Sequence, residues 1–281
     1  MNVNIEDLPD WLKCNIYVTT GHRPPMNSVK ECFKSMFRIH SQTGNIWTHF
    51  IGFLVFIIIT ILFYAEPSFQ EMHKNLNFEE EIIFLIFFIG VNACLCFSWL
   101  YHTLQCHSEG VSKFFEKLDY LGILLNIAGC FFPLIYYCPS IVAFSFYCQY
   151  TMKMIYLTSS SILWLSAVII VFKKKFGALE YKLTRAAVFV GLGCFCFLPV
   201  IHEIVIIGWD SAYQKFGFSL FTVAFLNLSG AFLYGAKIPE RCFPGKLDIW
   251  FKSHQIMHVL VFAASIIHCQ VIVNIFVFRT K

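Results

Sequence analysis

Seven apolar runs, an abundance of phenylalanine and a scarcity of charge predict an all-α protein that crosses a membrane seven times. Hydrophobic residues make up 58% of the 281-residue chain, 33 residues are phenylalanine, and only 14% are charged. Soluble domains carry about 25% charged residues. The runs fall near residues 46–64, 82–104, 119–137, 153–172, 185–207, 217–236 and 254–277. Each is close to the roughly 20 residues that a helix needs to span a bilayer.

The chain divides into an N-terminal segment (1–45), a seven-span domain (46–278) and a short tail (279–281). Residues 1–28 are polar and irregular, with Pro9, Pro24 and Pro25. From 29 to 40 the pattern changes. Val29, Cys32, Phe33, Met36 and Phe37 recur at helical spacing, with Lys30, Lys34 and Arg38 between them. This is the pattern of an amphipathic helix at a membrane interface, or of a helix packed on the rest of the chain. Residues 1–20 hold Glu6, Asp7 and Asp10 and no apolar h-region, so the first span is expected to direct insertion. Most of the 12 cysteines sit inside apolar runs and none forms a Cys-x-x-Cys pair. Neither a thiolate zinc finger nor a thioredoxin-type motif is indicated.

Basic residues set the expected orientation. Of the 21 Lys and Arg residues, 16 lie in the N-terminal segment and the second, fourth and sixth connections. That side is expected to be cytoplasmic, which puts the N-terminus inside and the C-terminus outside. A second span running inward ends on Ser98-Trp99-Leu100-Tyr101-His102 at the inner face. The third span starts there with Asp119, and the seventh with Ser253-His254-Gln255-Ile256-Met257-His258.

Ionisable groups in spanning helices are costly and mark interiors or cavities. His254 and His258 are four residues apart, hence on one face of a helix. With His102 they can supply the three-histidine set of an open zinc site, whose fourth position takes water. Zinc lowers the pKa of such a water to about 7. Asp119 is the candidate base, and Ser98, one turn before His102, is the candidate assistant. His202 and Glu203, in the fifth span, read as a polar packing pair or cavity wall. His268 lies about 15 Å along the helix from His258, too far to share a metal.

These residues resemble the adiponectin-receptor branch of the progestin and adipoQ receptor family. The matching stretches include His22-Arg23-Pro24-Pro25, Cys32 through His40, Gly44-Asn45-Ile46-Trp47-Thr48-His49, Ser98 through His102, Cys106-His107-Ser108-Glu109, Lys117-Leu118-Asp119-Tyr120, Ile238 through Lys246 and Ser253 through His258. The resemblance implies Zn2+ on His102, His254 and His258, with Asp119 reaching it through a water. It implies a lipid-accessible cavity and hydrolysis of ceramide to sphingosine and a fatty acid, with catalytic roles for Asp119 and Ser98. It also implies an adiponectin-like protein ligand outside, signalling in lipid metabolism, and residence in the plasma membrane. Two positions depart from the family pattern. Gln42 stands where the family commonly has Glu, and Ala187-x-x-x-Gly191 replaces Gly-x-x-x-Gly in the fifth span. Small residues still allow close helix contact, so a homodimer remains an expectation.

Two readings follow. One is a zinc-dependent membrane amidohydrolase that also serves as a receptor. The other is a non-enzymatic receptor or lipid sensor whose zinc ties helices together. On the outer side, Glu66, Glu71 and Glu79 to Glu81 form an acidic loop, and Cys138 and Cys148 are spaced for a disulfide in an oxidising compartment.

Overall fold

The computed structural model describes residues 2–66, 76–137, 146–173, 181–216 and 218–279. Apart from one isolated bridge between Val3 and His22, the regular structure among them is helical. After two short 3-10 turns come α1 (Val29–Ser35), α2 (Thr43–Ala65), α3 (Phe78–Leu104), α4 (Glu109–Tyr137), α5 (Phe146–Phe172), α6 (Lys182–Phe195), α7 (Leu198–Ile207), α8 (Trp209–Phe216), α9 (Ser219–Ala236) and α10 (Ser253–Arg279). Seven stretches are long and apolar enough to cross a membrane: α2, α3, α4, α5, α6 with α7, α9 and α10. These are the seven runs of the sequence. Cys138 and Glu71 lie outside the described residues, and with Cys138 so does the expected pairing to Cys148.

The boundaries differ where hydropathy and helicity part company. The third span begins at Glu109 rather than near residue 119, because its first turns are polar yet still helical. Asp119 therefore sits inside α4 and not at its start. The fifth span is broken between α6 and α7. Pro199 stands just past the break; a proline lacks the N–H of a helical ladder and its ring clashes with the carbonyl four residues back. The helix predicted over 29–40 is shorter. It ends at Ser35, and Met36, Phe37 and Arg38 form tight turns onto Phe33, Lys34 and Ser35. Cys32 and Met36 are buried, Cys32 packing with Leu104, the last residue of α3, and with Cys106 just after it. Phe37 and Ile39 are exposed.

The core runs between α2, α3 and α10, where Phe56, Phe84, Phe87, Phe88 and Phe276 are fully buried. α3 and α4 approach much closer than these phenylalanines would allow. A Cβ on Gly90 would lie 2.5 Å from the Leu125 carbonyl oxygen, and one on Gly122 would lie 2.9 Å from Cys94 Cα. Small residues that bring helix backbones together in this way are the usual means of association in lipid.

The N-terminal segment folds back over one end of the bundle and holds it by polar contacts. Asp248, in the connection before α10, accepts hydrogen bonds from the backbone and hydroxyl groups of both Thr19 and Thr20 at 2.7–3.2 Å. Burial alone would raise the Asp248 pKa, but these bonds outweigh it and hold the carboxyl below its ordinary value. Glu240 receives the Ser253 N–H at 2.7 Å and the Ser253 hydroxyl at 2.6 Å. It thereby caps the exposed donors at the start of α10 and places a negative charge at the helix's positive end. Arg23 does the converse at the end of α3. Its guanidinium donates to the carbonyls of His102 and Thr103 and to the Ser35 hydroxyl. Both caps fall on the turns that carry the candidate histidines.

Candidate metal centre

His102 occupies the last turn of α3, and His254 and His258 the first two turns of α10. Each of the three offers a ring nitrogen within 4.8 Å of the others. The ring centroids are 4.7–5.0 Å apart and the planes are inclined at 60–86°. Three imidazole edges therefore converge on one point instead of stacking. His102 and His258 are buried, and His254 packs against Tyr234, with centroids 4.8 Å apart.

Hydrogen bonds assign the tautomers, since the position of a ring proton follows from its partners. His258 Nδ1 lies 3.2 Å from the Asn45 carbonyl oxygen, which can only accept, so Nδ1 carries the proton and Nε2 the lone pair. Thr48 Oγ1 is 3.3 Å from the same nitrogen. His102 Nδ1 lies 3.1 Å from Gln42 Oε1 and donates to it. His102 Nε2 is then an acceptor, and it is buried with no hydrogen-bond partner. A buried acceptor left unsatisfied costs about 1–3 kcal/mol. A lone pair in that position beside two more imidazoles is what a divalent metal takes up. The donor set, three imidazoles of which His102 and His258 have their ring protons held by outer partners, suits zinc.

Asp119 is not one of the group of three. It faces the Ser98 hydroxyl instead. Ser98 is one turn before His102 on α3 and is buried, so the two residues singled out for chemistry meet each other beside the histidines. Their meeting depends on the α3–α4 approach, because Gly122 is one turn beyond Asp119 and Cys94, which it touches, is one turn before Ser98.

A fourth histidine escaped the sequence reading. His49 stacks on His258 with centroids 3.6 Å apart and planes 11° apart. It is buried, and both its ring nitrogens lack partners. Its stacked plane keeps it out of the converging edges. The available signal was its spacing: Asn45, Thr48, His49 and Gly52 recur three and four residues apart in α2, forming the small, polar face that meets α10. His268 is far from the centre and hydrogen-bonds the Cys130 carbonyl at 3.1 Å. His202 pairs with the Tyr156 hydroxyl at 3.1 Å, and Glu203 is buried.

Seven apolar spans around a converging trio of histidines define a multi-pass membrane protein with a candidate intramembrane metal centre. A family model described as Haemolysin-III related matches residues 37–269. Progestin and adipoQ receptor-like protein 1 of Caenorhabditis elegans is 44% identical over 264 residues, which is 94% of this chain and 58% of that protein. The adiponectin receptor protein of Drosophila melanogaster is 42% identical over 275 residues, 98% of this chain and 59% of that protein. Heptahelical transmembrane protein 3 of Arabidopsis thaliana is 31% identical over 302 aligned positions, 95% of this chain and 85% of that protein. The chain belongs to the Haemolysin-III-related family of progestin and adipoQ receptor-like proteins. It spans less than two thirds of the length of the first two relatives.

Proposed function

We propose that this protein is a zinc-dependent amide hydrolase of the membrane, acting on ceramide to give sphingosine and a fatty acid, and that it works as an adiponectin-receptor-like signalling protein. The observation that carries the proposal is the orphaned His102 Nε2 facing His254 and His258 in the bundle interior. Zinc held by these three residues would supply a Lewis acid that polarises an amide carbonyl and acidifies water. The chain's own groups provide the rest. Asp119 takes the proton of the attacking water and delivers it to the leaving amine. The Ser98 hydroxyl orients the Asp119 carboxyl group. The surrounding apolar helices exclude bulk water and accept acyl chains.

In this reading the end of the bundle carrying the N-terminal segment faces the cytoplasm, as the basic residues favour. An adiponectin-like ligand would meet the opposite face at the plasma membrane. Ala187 and Gly191 lie exposed on α6 and offer a contact for a homodimer.

The test is sphingosine release from ceramide by purified, zinc-loaded protein, beside His258→Ala. Release that falls to background in the variant supports the reading. Equal release by both refutes it.

A second reading has its own observation. The histidines join α3 to α10, at turns already clamped by Arg23 and Glu240. A metal there would be a structural tie in a non-enzymatic receptor. Removal by a chelator then lowers thermal stability sharply, since structural zinc contributes on the order of 10 kcal/mol in small soluble domains. Under the hydrolase reading the fold survives removal and the activity does not.

A further inference from the structure

Gln42 occupies the N-cap position of α2, where polar side chains usually bond the helix's first N–H groups. Its side chain makes no such bond. It turns instead to the metal centre, where Oε1 lies 3.1 Å from His102 Nδ1 and accepts the Asn45 Nδ2–H at 2.6 Å. Gln105 also approaches His102, with Nε2 3.3 Å from Nδ1 and 3.4 Å from the His102 carbonyl oxygen. A protonated Nδ1 cannot accept from Gln105, so that amide serves the carbonyl and Gln42 alone orients the ring.

Two cations adjoin this contact, one of which, Lys252, also feels the carboxylates of Glu240 and Asp248. Arg23 donates to the carbonyl of His102 itself. Lys252 donates to the carbonyl of Ser41, the residue before Gln42. The hydrogen bonds of His102 and His258 run to a carboxamide, a backbone carbonyl and a hydroxyl, none to a carboxylate. Two buried cations thus stand behind the histidines, and the side chain between them is neutral.

We propose that Gln42 is the positioning residue for the His102 ligand and that its neutral amide tunes the centre to hold zinc weakly and exchangeably. The inference rests on the reading of the three histidines as a zinc site. A carboxylate at this place would accept the same Nδ1 proton, push electron density toward Nε2 and offset one of the two cations. Outer partners of metal-bound histidines change affinity by about 10–100-fold when altered. Glutamate and glutamine have nearly the same shape, so the exchange changes charge with little change in packing.

The experiment is zinc titration of the purified full chain against a fluorescent chelator of known affinity, with circular dichroism and thermal unfolding of the metal-free protein alongside. Gln42→Glu is expected to bind zinc about 10–100-fold more tightly than the wild type, with unchanged unfolding of the metal-free form. Gln42→Leu is expected to bind about 10–100-fold more weakly, and Gln105→Leu to bind like the wild type. A gain of affinity cannot come from misfolding, so the Glu variant decides even if the Leu variant fails to fold. Equal or weaker binding by folded Gln42→Glu overturns the proposal. The underlying reading fails separately, by zinc binding that is the same in the wild type and in His258→Ala.

Discussion

The contact between α3 and α4 is set by glycine, and replacing Gly90 with alanine measures it. The added Cβ would stand 2.5 Å from the Leu125 carbonyl oxygen, 3.1 Å from its carbon and 3.3 Å from Gly129 Cα. Heavy atoms in non-bonded contact settle at about 3.5 Å, so the helices must part locally by about 1 Å. All three obstructing atoms are backbone, and no side-chain rotation relieves them. Overpacking of this kind costs about 1–3 kcal/mol, and a rigid obstruction belongs in the upper half of that range. Alanine in place of glycine returns about 1 kcal/mol of helix propensity. The net loss for Gly90→Ala is therefore about 1–2 kcal/mol. Gly191→Ala is the control: a Cβ there meets nothing within 4 Å, and the same chemical change should stabilise by about 1 kcal/mol. The two variants should differ by about 2–3 kcal/mol when unfolded in the same detergent and followed by tryptophan fluorescence. Equal stability, or a more stable Gly90→Ala, would refute the close approach. Gly122→Ala carries the argument to the site. Its Cβ would meet Cys94 Cα at 2.9 Å, parting Ser98 from Asp119, so amide hydrolysis should fall while zinc content, set by His102, His254 and His258, is retained.

Three further outcomes are expected. Asp248→Asn keeps the size of the side chain but removes the charge that receives four hydrogen bonds from Thr19 and Thr20; bonds to charged groups are worth about 1.5–3 kcal/mol, and amide exchange at residues 19 and 20 should quicken accordingly, whereas unchanged exchange counts against the clamp. The Asp248 pKa lies below its ordinary value in the folded chain, so its contribution is present above about pH 4 and fades as pH falls through the lower folded value. Protease cleavage within residues 11–20 should therefore rise only in strongly acidic buffer, and a rise on the alkaline side would contradict the sign. His49→Phe keeps a flat ring on His258 and removes two buried nitrogens without partners, so zinc affinity should be unchanged and thermal stability should not drop; a loss of zinc would mean that His49 is a ligand.

Much of this molecule was legible from pattern alone. A bilayer demands about 20 apolar residues per span, and that demand writes itself into the chain as countable runs. The seven spans, and the pairing of His254 with His258 on one helix face, follow from length and periodicity. Even His102 could be added, because strict alternation of direction places the ends of the second span and the start of the seventh at one depth.

What pattern could not supply was which partners a polar group finds. Hydropathy marks where a helix meets lipid and is silent on where helicity stops, so α4 begins at Glu109 and Asp119 lies inside it. Nothing local distinguishes Gly90, wedged on Leu125, from Gly191, which touches nothing; the difference is the neighbouring helix. His49 looks like any interfacial histidine until α10 lays His258 on its face. Gln42 reads as a lost charge in the sequence, and only the fold turns it onto His102 and sets Arg23 and Lys252 behind it. The sequence determined the spans and the ligand candidates because both depend on spacing along one chain. The tertiary structure alone decided tautomer, orientation and local charge, because these are set by residues 60 to more than 200 positions away that share no register with the ligands they touch.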